Sequence, residues 1–244
     1  MRIMIILAFI LFSKFTFAST VHIEAGEWPP YTSFEDPNNS FLLDITRKVF
    51  STIGMKAEIT YVPWARISKN VDENRAISVG WYLNEERDRK WRFSNTIVRS
   101  VVVPITLYSN DVQWNIITDL CVYKVGIASG YSYCNEFDNT DCLKSTVEAV
   151  TLEEQNLKKL LAKTIDITFM DDTAATYLIR KSLSSSSRLI KLGTRQPLTS
   201  LSVHLVCSKN NTSCYNVIRK FNEGLRILNA DGTIDSIVRK SLVY

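Results

Sequence analysis

The residues best able to recognise a small ligand fall in predicted turns and at predicted strand ends. Arg87 carries a planar guanidinium, which can hold a carboxylate through two parallel hydrogen bonds. Every residue from 85 to 90 is charged, so a solvated arginine in a surface turn is the alternative interpretation. Asp171 follows a predicted buried strand, where its carboxylate suits an ammonium group or a helix cap. Gly130-Tyr131-Ser132 follows another strand, either as an anion site built from backbone N–H groups or as an ordinary strand-to-helix turn.

Five aromatic residues are candidate walls for a ligand cleft. Trp28 and Tyr31 are the best of them, because they frame a Trp-Pro-Pro-Tyr loop after the first predicted strand. Ligand sites in α/β sheets lie beyond such strand ends. Trp64, Trp81 and Tyr82 are the other three. An aromatic face can cover a flat or aliphatic ligand and stabilise a nearby cation, although each ring taken alone is also a normal core residue.

The composition argues against two classes of function. The formal net charge is +4, and the predicted leader carries two of those charges, which leaves +2 (4 − 2) for the rest of the chain. Lys and Arg alternate with Asp and Glu, so the basic surface of a nucleic-acid binder is missing. The sequence contains no G-x-S-x-G, H-E-x-x-H or P-loop motif. We therefore expect neither nucleic-acid binding nor catalysis.

Residues 1–18 have the pattern of a secretory signal peptide. A positive charge precedes an apolar run that is too short to span a bilayer. The small residues Thr16 and Ala18 occupy the positions that a signal peptidase reads, so we expect cleavage before Ser19. A membrane anchor is the alternative, which Lys14 makes less favourable because it interrupts the apolar run.

The five cysteines of an exported chain suggest disulfides. Cys134 and Cys142 flank one short polar loop, and Cys207 and Cys214 flank another. We therefore expect the local pairs 134–142 and 207–214. Cys121 would remain as a buried thiol in an apolar setting.

A zinc site is the alternative use of these cysteines. Neither pair has the C-x-x-C spacing of a zinc ligand pair. The two histidines, His22 and His204, lie in predicted strands, where a packed side chain is the usual role. We expect no metal and no cofactor.

The chain alternates predicted strands and helices, the pattern of an α/β protein. The predicted strands span 21–25, 57–61, 76–81, 97–107, 122–128, 165–170 and 201–206. Predicted helices begin near Ser40, Pro63, Thr151, Thr173, Ser213 and Thr233. Ser40 and Ser213 are predicted caps, and Thr151 forms a predicted capping box with Glu154. The middle segment, about 108–196, is self-contained, so the flanking segments can share one lobe while the chain crosses twice between lobes.

An ordered series of motifs resembles the bacterial extracellular solute-binding proteins of the amino-acid type, family 3. The series comprises Trp28-Pro-Pro-Tyr31, Gly80 before Glu86-Arg87, Phe93-Ser94, Lys124-Val-Gly-Ile127, Gly130-Tyr131-Ser132, Asp166 before Asp171, Asn222-Glu-Gly-Leu225 and Asp231-Gly-Thr-Ile234. The resemblance implies an α/β, two-lobe periplasmic-binding-protein-like (type II) fold with two hinge crossovers. It implies that residues 19–107 and 197–244 form one lobe and residues 108–196 the other.

The resemblance also implies roles for individual residues. Arg87 stands at the carboxylate-binding position, and Asp171 where the family pairs with a ligand ammonium, which leaves Asp172 to cap the following helix. Gly130-Tyr131-Ser132 supplies backbone N–H groups from the second lobe. Tyr82 and Asn84 depart from the family pattern, in which a small hydroxyl residue is common at these positions. Tyr82 would fill space and exclude a standard amino acid, so a small organic acid, a peptide fragment or a ring-bearing solute is the alternative ligand.

The implied protein is a periplasmic monomer that binds a small polar ligand and presents it to a membrane permease or a receptor. A periplasmic sensor that signals to a membrane partner is an alternative. An enzyme on the same scaffold, such as a dehydratase or hydrolase, is a further alternative, for which Asp171 or Glu27 would have to act as acid or base. An exported domain that binds a protein partner is the last alternative.

Overall fold

The computed structural model describes residues 19–241, so the predicted leader lies outside the described residues. Within that range ten strands alternate with helices, in agreement with the α/β prediction. The strands are β1 (Ser19–Ala25), β2 (Met55–Tyr61), β3 (Ile77–Tyr82), β4 (Trp91–Phe93), β5 (Val98–Leu107), β6 (Val125–Ala128), β7 (Val147–Val150), β8 (Ile167–Asp171), β9 (Ile190–Leu192) and β10 (Thr199–Ser208).

Nine α-helices cover these strands within residues 19–241. They are α1 (Phe41–Thr52), α2 (Trp64–Asp72), α3 (Glu85–Lys90), α4 (Asn135–Asn139), α5 (Leu143–Thr146), α6 (Glu153–Leu161), α7 (Asp172–Ser182), α8 (Thr212–Ala230) and α9 (Thr233–Ser241). Two 3₁₀ helices, Ile117–Val122 and Ser184–Leu189, complete the description. No helix of residues 19–241 combines the length and the apolar character needed to cross a membrane.

The strands form one continuous sheet in the order β2-β1-β3-β10-β5-β8-β6-β7, with β4 on β10 and β9 on β5. The two longest strands, β5 and β10, run antiparallel in its middle and pair over Val98–Val203 to Val102–Thr199. We call the part built on β1–β4 with α1–α3, α8 and α9 the first lobe. The part built on β6–β9 with α4–α7 is the second lobe. β5 and β10 connect the two, as the prediction of two crossovers requires.

Each lobe has its own hydrophobic core. In the first lobe, α1 presents Leu42, Ile45 and Val49 to the buried face of β1 and to α8, all fully buried, as the 3.6-residue period of the sequence predicts. In the second lobe, apolar residues cover both faces of the sheet around β8, whose five residues are all buried. Tyr131 packs against the cores of both lobes.

Three predicted helix caps differ in the structure. The hydroxyl of Ser40 does not cap α1, because it bonds instead to the backbone N–H and carbonyl of Ser33 at 2.6 Å each. Asn211, rather than Ser213, caps α8. At α6 the Gln155 side chain accepts from the backbone N–H of Leu152 at 3.1 Å, so the helix begins two residues after Thr151.

The disulfides correct one of the two predicted pairs. Cys207 pairs with Cys214, as predicted. Cys142 pairs with Cys121 and not with Cys134, which is a free, partly buried cysteine, so the prediction of a 134–142 bridge was wrong. The reason is tertiary, because the 3₁₀ helix that carries Cys121 packs against α5 and brings the two Cα atoms to 5.6 Å.

Candidate functional site

The Trp-Pro-Pro-Tyr loop lies at the carboxyl end of β1 and is buried rather than exposed. Trp28 stacks on Tyr31 with ring centroids 3.8 Å apart and meets the edge of Tyr82 at 5.7 Å. The loop is closed by two backbone hydrogen bonds between Trp28 and Thr32, and the Thr32 hydroxyl donates to the carbonyl of Gly26 at 2.6 Å. A rigid aromatic stack therefore forms one wall between the lobes.

Trp64 completes that wall from the start of α2. Its indole N–H donates to the carbonyl of Glu27 at 3.1 Å, and its ring meets Trp81 edge-on at 5.2 Å. Two glycines make room for the ring, since a Cβ on Gly26 would lie 2.4 Å from it and a Cβ on Gly80 would lie 2.9 Å away. Gly80 also has a φ of +100°, a conformation that L side chains rarely adopt.

Arg87 reaches from the first lobe to the second. The side chain of Asn84 caps α3 by accepting from the backbone N–H of Arg87 at 2.8 Å, which fixes the start of the Arg87 side chain. The guanidinium carbon lies 4.8 Å from the ring of Trp81, within cation–π range. The guanidinium donates to the carbonyl of Tyr82 at 3.2 Å and to the carbonyl of Gly130 at 3.1 Å.

The electrostatic setting of Arg87 favours an anionic partner. Burial lowers the pKa of the guanidinium from its ordinary value, while the charges of Asp138 and Glu86 act in the opposite direction. Its close hydrogen-bond acceptors are neutral carbonyls. A carboxylate is a stronger acceptor for a guanidinium than a carbonyl.

The Gly130-Tyr131-Ser132 turn faces Arg87 from the second lobe. Gly130 has a φ of +80°, and the N–H of Tyr131 donates back to the carbonyl of Ala128 at 3.3 Å. The Ser132 hydroxyl accepts from the side chain of Asn84 at 3.1 Å and donates to Asp138 at 2.5 Å. Asn84 thus links the lobes beside Arg87, a role that the sequence analysis did not assign to it.

Eight of the ten predicted ligand residues line one cavity between the lobes, which we call the ligand cleft. They are Trp28, Trp64, Trp81, Tyr82, Arg87, Gly130, Tyr131 and Ser132, joined by Gly80. The free space within it is about 20 Å³, close to the volume needed for a single water molecule. The lobes are therefore closed on one another in this structure.

Tyr31 and Asp171, the other two predicted residues, meet behind the ligand cleft. The Tyr31 hydroxyl donates to Oδ2 of Asp171 at 2.9 Å, and the Ser100 hydroxyl donates to the same oxygen at 2.7 Å. Oδ1 of Asp171 accepts from the N–H of Ala174 at 2.8 Å. Asp171 is therefore the N-cap of α7, and the prediction that Asp172 would take the capping role was wrong.

Burial raises the pKa of Asp171 to about 6, and the three hydrogen bonds that it accepts oppose that rise. Ser100 joins the network to Tyr82, whose hydroxyl lies 2.7 Å from the Ser100 hydroxyl. One feature of the sequence could have indicated Ser100, because it is a small polar residue inside the apolar run of β5. Tyr31 and Tyr82 remain neutral, since burial raises the pKa of each phenol well above its ordinary value.

Solved structures share this fold at low sequence identity. A histidine kinase sensor domain with similarity to periplasmic binding proteins matches with a TM-score of 0.80 and 18% identity, over 93% of this chain and 97% of that chain. A mutant of ArgBP from T. maritima matches with a TM-score of 0.77 and 16% identity, over 93% and 96% of the two chains. An arginine 3rd transport system periplasmic binding protein from Legionella pneumophila matches with a TM-score of 0.71 and 17% identity, over 92% and 100%. These likenesses confirm the predicted type II periplasmic-binding fold.

The family is established by the sequence itself. No curated protein matches the chain. The sequence model of the bacterial extracellular solute-binding proteins, family 3, matches residues 21–243, which is nearly the whole chain. The fold and the family match agree, and the chain belongs to the bacterial extracellular solute-binding proteins, family 3.

Proposed function

We propose that this protein is a periplasmic solute-binding protein that closes two lobes around a small polar ligand and does no chemistry on it. The ligand class that fits is an amino acid or a close relative. The observation that carries the proposal is the position of Arg87, whose guanidinium leaves the first lobe and bonds to a carbonyl of the second. A cation held there against Trp81 can exchange its carbonyl acceptors for a ligand carboxylate.

The proposed lobes are residues 19–107 with 197–244, and residues 108–196. Closure joins them through Arg87, Asn84 and Tyr31. Because the ligand cleft has room for about one water molecule, a ligand can enter only when the lobes separate. We assign the hinge to β5 and β10, the strands that connect the lobes.

Asp171 has a proposed role in holding the ammonium group of the ligand. In this structure one of its oxygens accepts a hydrogen bond from Tyr31 of the opposite lobe. Separation of the lobes removes that donor and frees the oxygen for a ligand N–H group. Ser100, on the connecting strand β5, and the N–H of Ala174, in the same lobe as Asp171, also donate to Asp171 and keep it in place.

Tyr82 and Trp28 limit the size of the ligand. Tyr82 is 8% exposed and hydrogen-bonded to Ser100, so its ring is held inside the cleft. Trp28 is 3% exposed and stacked on Tyr31. The cleft therefore favours a small ligand, or a flat one that lies against these rings, over a long side chain.

Delivery to an ABC-type membrane transporter is the proposed physiological role. A sensor that reports to a membrane signalling protein is the second candidate, and the fold similarity to a histidine kinase sensor domain favours it. A deletion strain separates the two. Loss of ligand uptake supports transport, whereas loss of a ligand-dependent transcriptional response with normal uptake supports sensing.

A thermal-shift screen of the mature chain against amino acids, amines and small organic acids tests the binding function. A ligand that binds only the folded state raises the melting temperature. Arg87→Ala should then weaken binding of the best carboxylate ligand by roughly thirty- to several-thousand-fold, because removal of one partner of a desolvated charge pair costs roughly 2–5 kcal/mol.

Arg89→Ala is the matched control for that variant. Arg89 lies in the same helix but is exposed, so its removal should change the affinity by less than twofold. A change below threefold for Arg87→Ala, measured by titration calorimetry, would show that the guanidinium does not hold the ligand. Conversion of the ligand to a product by the wild type would show that the protein is an enzyme.

A further inference from the structure

A second cavity of about 600 Å³ opens beside the ligand cleft. We call it the side pocket. Trp28 and Tyr131 line both cavities, so the two share an aromatic wall. The side pocket also lies between the lobes, since Glu27 and Phe34 reach it from the first lobe and Glu153 reaches it from the second.

Glu153 is the unusual residue of the side pocket. It is the first residue of α6, and it is only 8% exposed although it lines the cavity. Within residues 19–241 its carboxyl group receives no hydrogen bond and forms no ion pair. Buried carboxylates in folded proteins are normally paired, because burial of an unpaired charge is costly. Glu153 therefore presents an acceptor, without a donor, to an open cavity.

Three of the other four charged residues of the side pocket have partners, and the fourth, Glu35, is exposed. Glu27 accepts hydrogen bonds from the hydroxyl of Ser33 at 2.6 Å and from the N–H of Phe34 at 2.9 Å. Glu154 forms an ion pair along its own helix at 2.7 Å. Lys181 lies 3.9 Å from the carboxylate of Asp36. None of these contacts involves Glu153.

The aromatic lining selects the kind of cation that would suit Glu153. Its rings are those of Trp28, Phe34, Tyr61, Tyr131 and Tyr177. Aromatic faces attract organic cations such as ammonium groups. A metal ion would need several carboxylate, thiolate or imidazole ligands together, and no such cluster occurs in the part of the chain that the structure describes.

We propose that the side pocket binds a protonated amine, with Glu153 as its carboxylate partner and the rings of Trp28 and Tyr131 as the surfaces against which it lies. None of these contacts includes Arg87, so the site goes beyond the proposed function and does not depend on a ligand in the cleft. On binding, Glu153 gives up a proton to solvent and the ammonium group donates to the resulting carboxylate.

The titratable neighbours of Glu153 support that proton release. Burial, followed by the charge of Asp171 on β8, raises the pKa of Glu153 to about 8. The phenols that face it, those of Tyr131, Tyr133 and Tyr82, are held neutral because burial raises each pKa. At pH 7 Glu153 is therefore mostly protonated before an amine binds, and pairing with a cation favours the charged form.

Titration calorimetry of the full mature chain at pH 7 tests the site with defined probes. The probes are putrescine and phenethylamine, with 1,4-butanediol and 2-phenylethanol as uncharged counterparts of similar shape. We expect the amines to bind and the alcohols not to bind. Measurements in phosphate and in Tris should give different heats, which correspond to release of nearly one proton per amine bound.

Glu153→Gln should weaken amine binding at least tenfold and abolish the proton release. Glu154→Gln, a change of the neighbouring carboxylate that already has a partner, should alter affinity by less than twofold. Glu153→Asp keeps the carboxyl group but shortens the side chain by one methylene. We expect its affinity for amines to lie between those of the wild type and Glu153→Gln. Thermal melts of each variant check that it is folded.

Equal amine affinity in the wild type and Glu153→Gln would overturn the proposal, as would equal binding of the amines and the alcohols. Absence of amine binding to a folded wild type would also overturn it. Arg87→Ala separates this site from the cleft, because it should weaken binding of a carboxylate ligand by roughly thirtyfold or more and leave amine binding within twofold. If amines bind through Glu153 while no carboxylate ligand binds at all, the side pocket stands and the proposed cleft function fails.

Discussion

The ligand cleft and the side pocket share the rings of Trp28 and Tyr131, yet each handles its buried carboxyl group differently. Behind the cleft, Asp171 is 2% exposed and accepts three hydrogen bonds. In the side pocket, Glu153 is 8% exposed and accepts none within the described residues. The cleft is nearly filled by protein, whereas the side pocket keeps about 600 Å³ of space.

The difference separates a carboxyl group whose hydrogen-bond donors lie within the protein from one that has no donor among the described residues. Burial raises the pKa of both groups, to about 6 for Asp171 and to about 8 for Glu153. Hydrogen bonds oppose that rise at Asp171, and no such contribution acts at Glu153. A buried group that has its partners stabilises the fold, and one that lacks them makes the fold less stable until something binds.

The largest expected effect is the loss of stability in Asp171→Ala. The change removes the N-cap of α7, which costs about 1 kcal/mol, and it leaves the buried hydroxyls of Tyr31 and Ser100 without their acceptor. Because an unsatisfied buried hydroxyl costs about 1–3 kcal/mol, loss of the cap and of the acceptor for two hydroxyls should lower the free energy of unfolding by about 3–7 kcal/mol. Urea denaturation followed by circular dichroism measures this quantity.

Asp172→Ala is the control for that experiment. Asp172 is the next residue but is not the N-cap, and its backbone remains in place. We expect a loss below 1 kcal/mol, as for an ordinary helix surface position. Equal losses for the two variants would show that the network around Asp171 does not stabilise the fold.

Glu153→Gln should increase stability, in contrast to Asp171→Ala, because it replaces an unpaired buried acid by a neutral amide. The free energy of unfolding at pH 7 should rise by about 2–3 kcal/mol. The sign follows from the pKa of about 8 in the folded state against 4.5 for the ordinary group. Between these values the folded state holds more protons than the unfolded state, so the wild type loses stability as the pH rises.

The advantage of Glu153→Gln should therefore be absent below pH 4.5, where both states are protonated, and should grow up to about pH 8. Asp171 also makes stability fall with rising pH, between pH 3.8 and about 6. This contribution is the same in the wild type and in Glu153→Gln, because both contain Asp171. The difference between two urea-denaturation series therefore isolates Glu153. A variant less stable than the wild type at pH 8 would show that the carboxylate has a partner.

Much of the fold could be predicted from periodicity and turn residues. The alternation in residues 57–61 and the 3.6-residue spacing of Leu42, Ile45 and Val49 depend on local chemistry, and the structure confirms both elements. The hydroxyl of Ser40 shows the limit of such reasoning. A serine before an amphipathic run predicts a cap, but the Trp-Pro-Pro-Tyr loop folds back and the serine bonds to Ser33 instead.

The disulfides show the same limit at longer range. The 207–214 pair closes a short loop, so its spacing was sufficient to predict it. The 121–142 pair joins residues 21 apart, and only the packing of a 3₁₀ helix on α5 brings them together. Spacing alone favoured the nearer Cys134, because sequence distance does not report which faces of two helices meet.

The candidate site was predicted more fully than the side pocket. The ordered series of motifs pointed to eight residues that line the same cavity in the structure, including Arg87. Glu153 was missed because the sequence pattern directed attention to Thr151 and Glu154 as a capping box, whereas the helix starts at Glu153 itself. The N-cap lies one residue later than predicted, at Leu152 instead of Thr151, and the pattern alone does not fix that position.

The smallest expected change in stability comes from removing the hydrogen bond between Tyr31 and Asp171, which joins the two lobes next to the ligand cleft. Tyr31→Phe keeps the ring that stacks on Trp28 and removes only the hydroxyl that donates to Asp171 across the lobes. Asp171 retains Ser100 and the N–H of Ala174, so the free energy of unfolding should fall by about 1 kcal/mol. Tyr108→Phe, at a position that is 70% exposed, is the control and should change the free energy of unfolding by less than 0.5 kcal/mol.

The same Tyr31→Phe variant tests whether the two cavities are separate sites. Because Tyr31 does not line the side pocket, amine affinity there should stay within twofold. A large drop in amine affinity would show that the two cavities act as one site and that the contrast between Asp171 and Glu153 does not divide them.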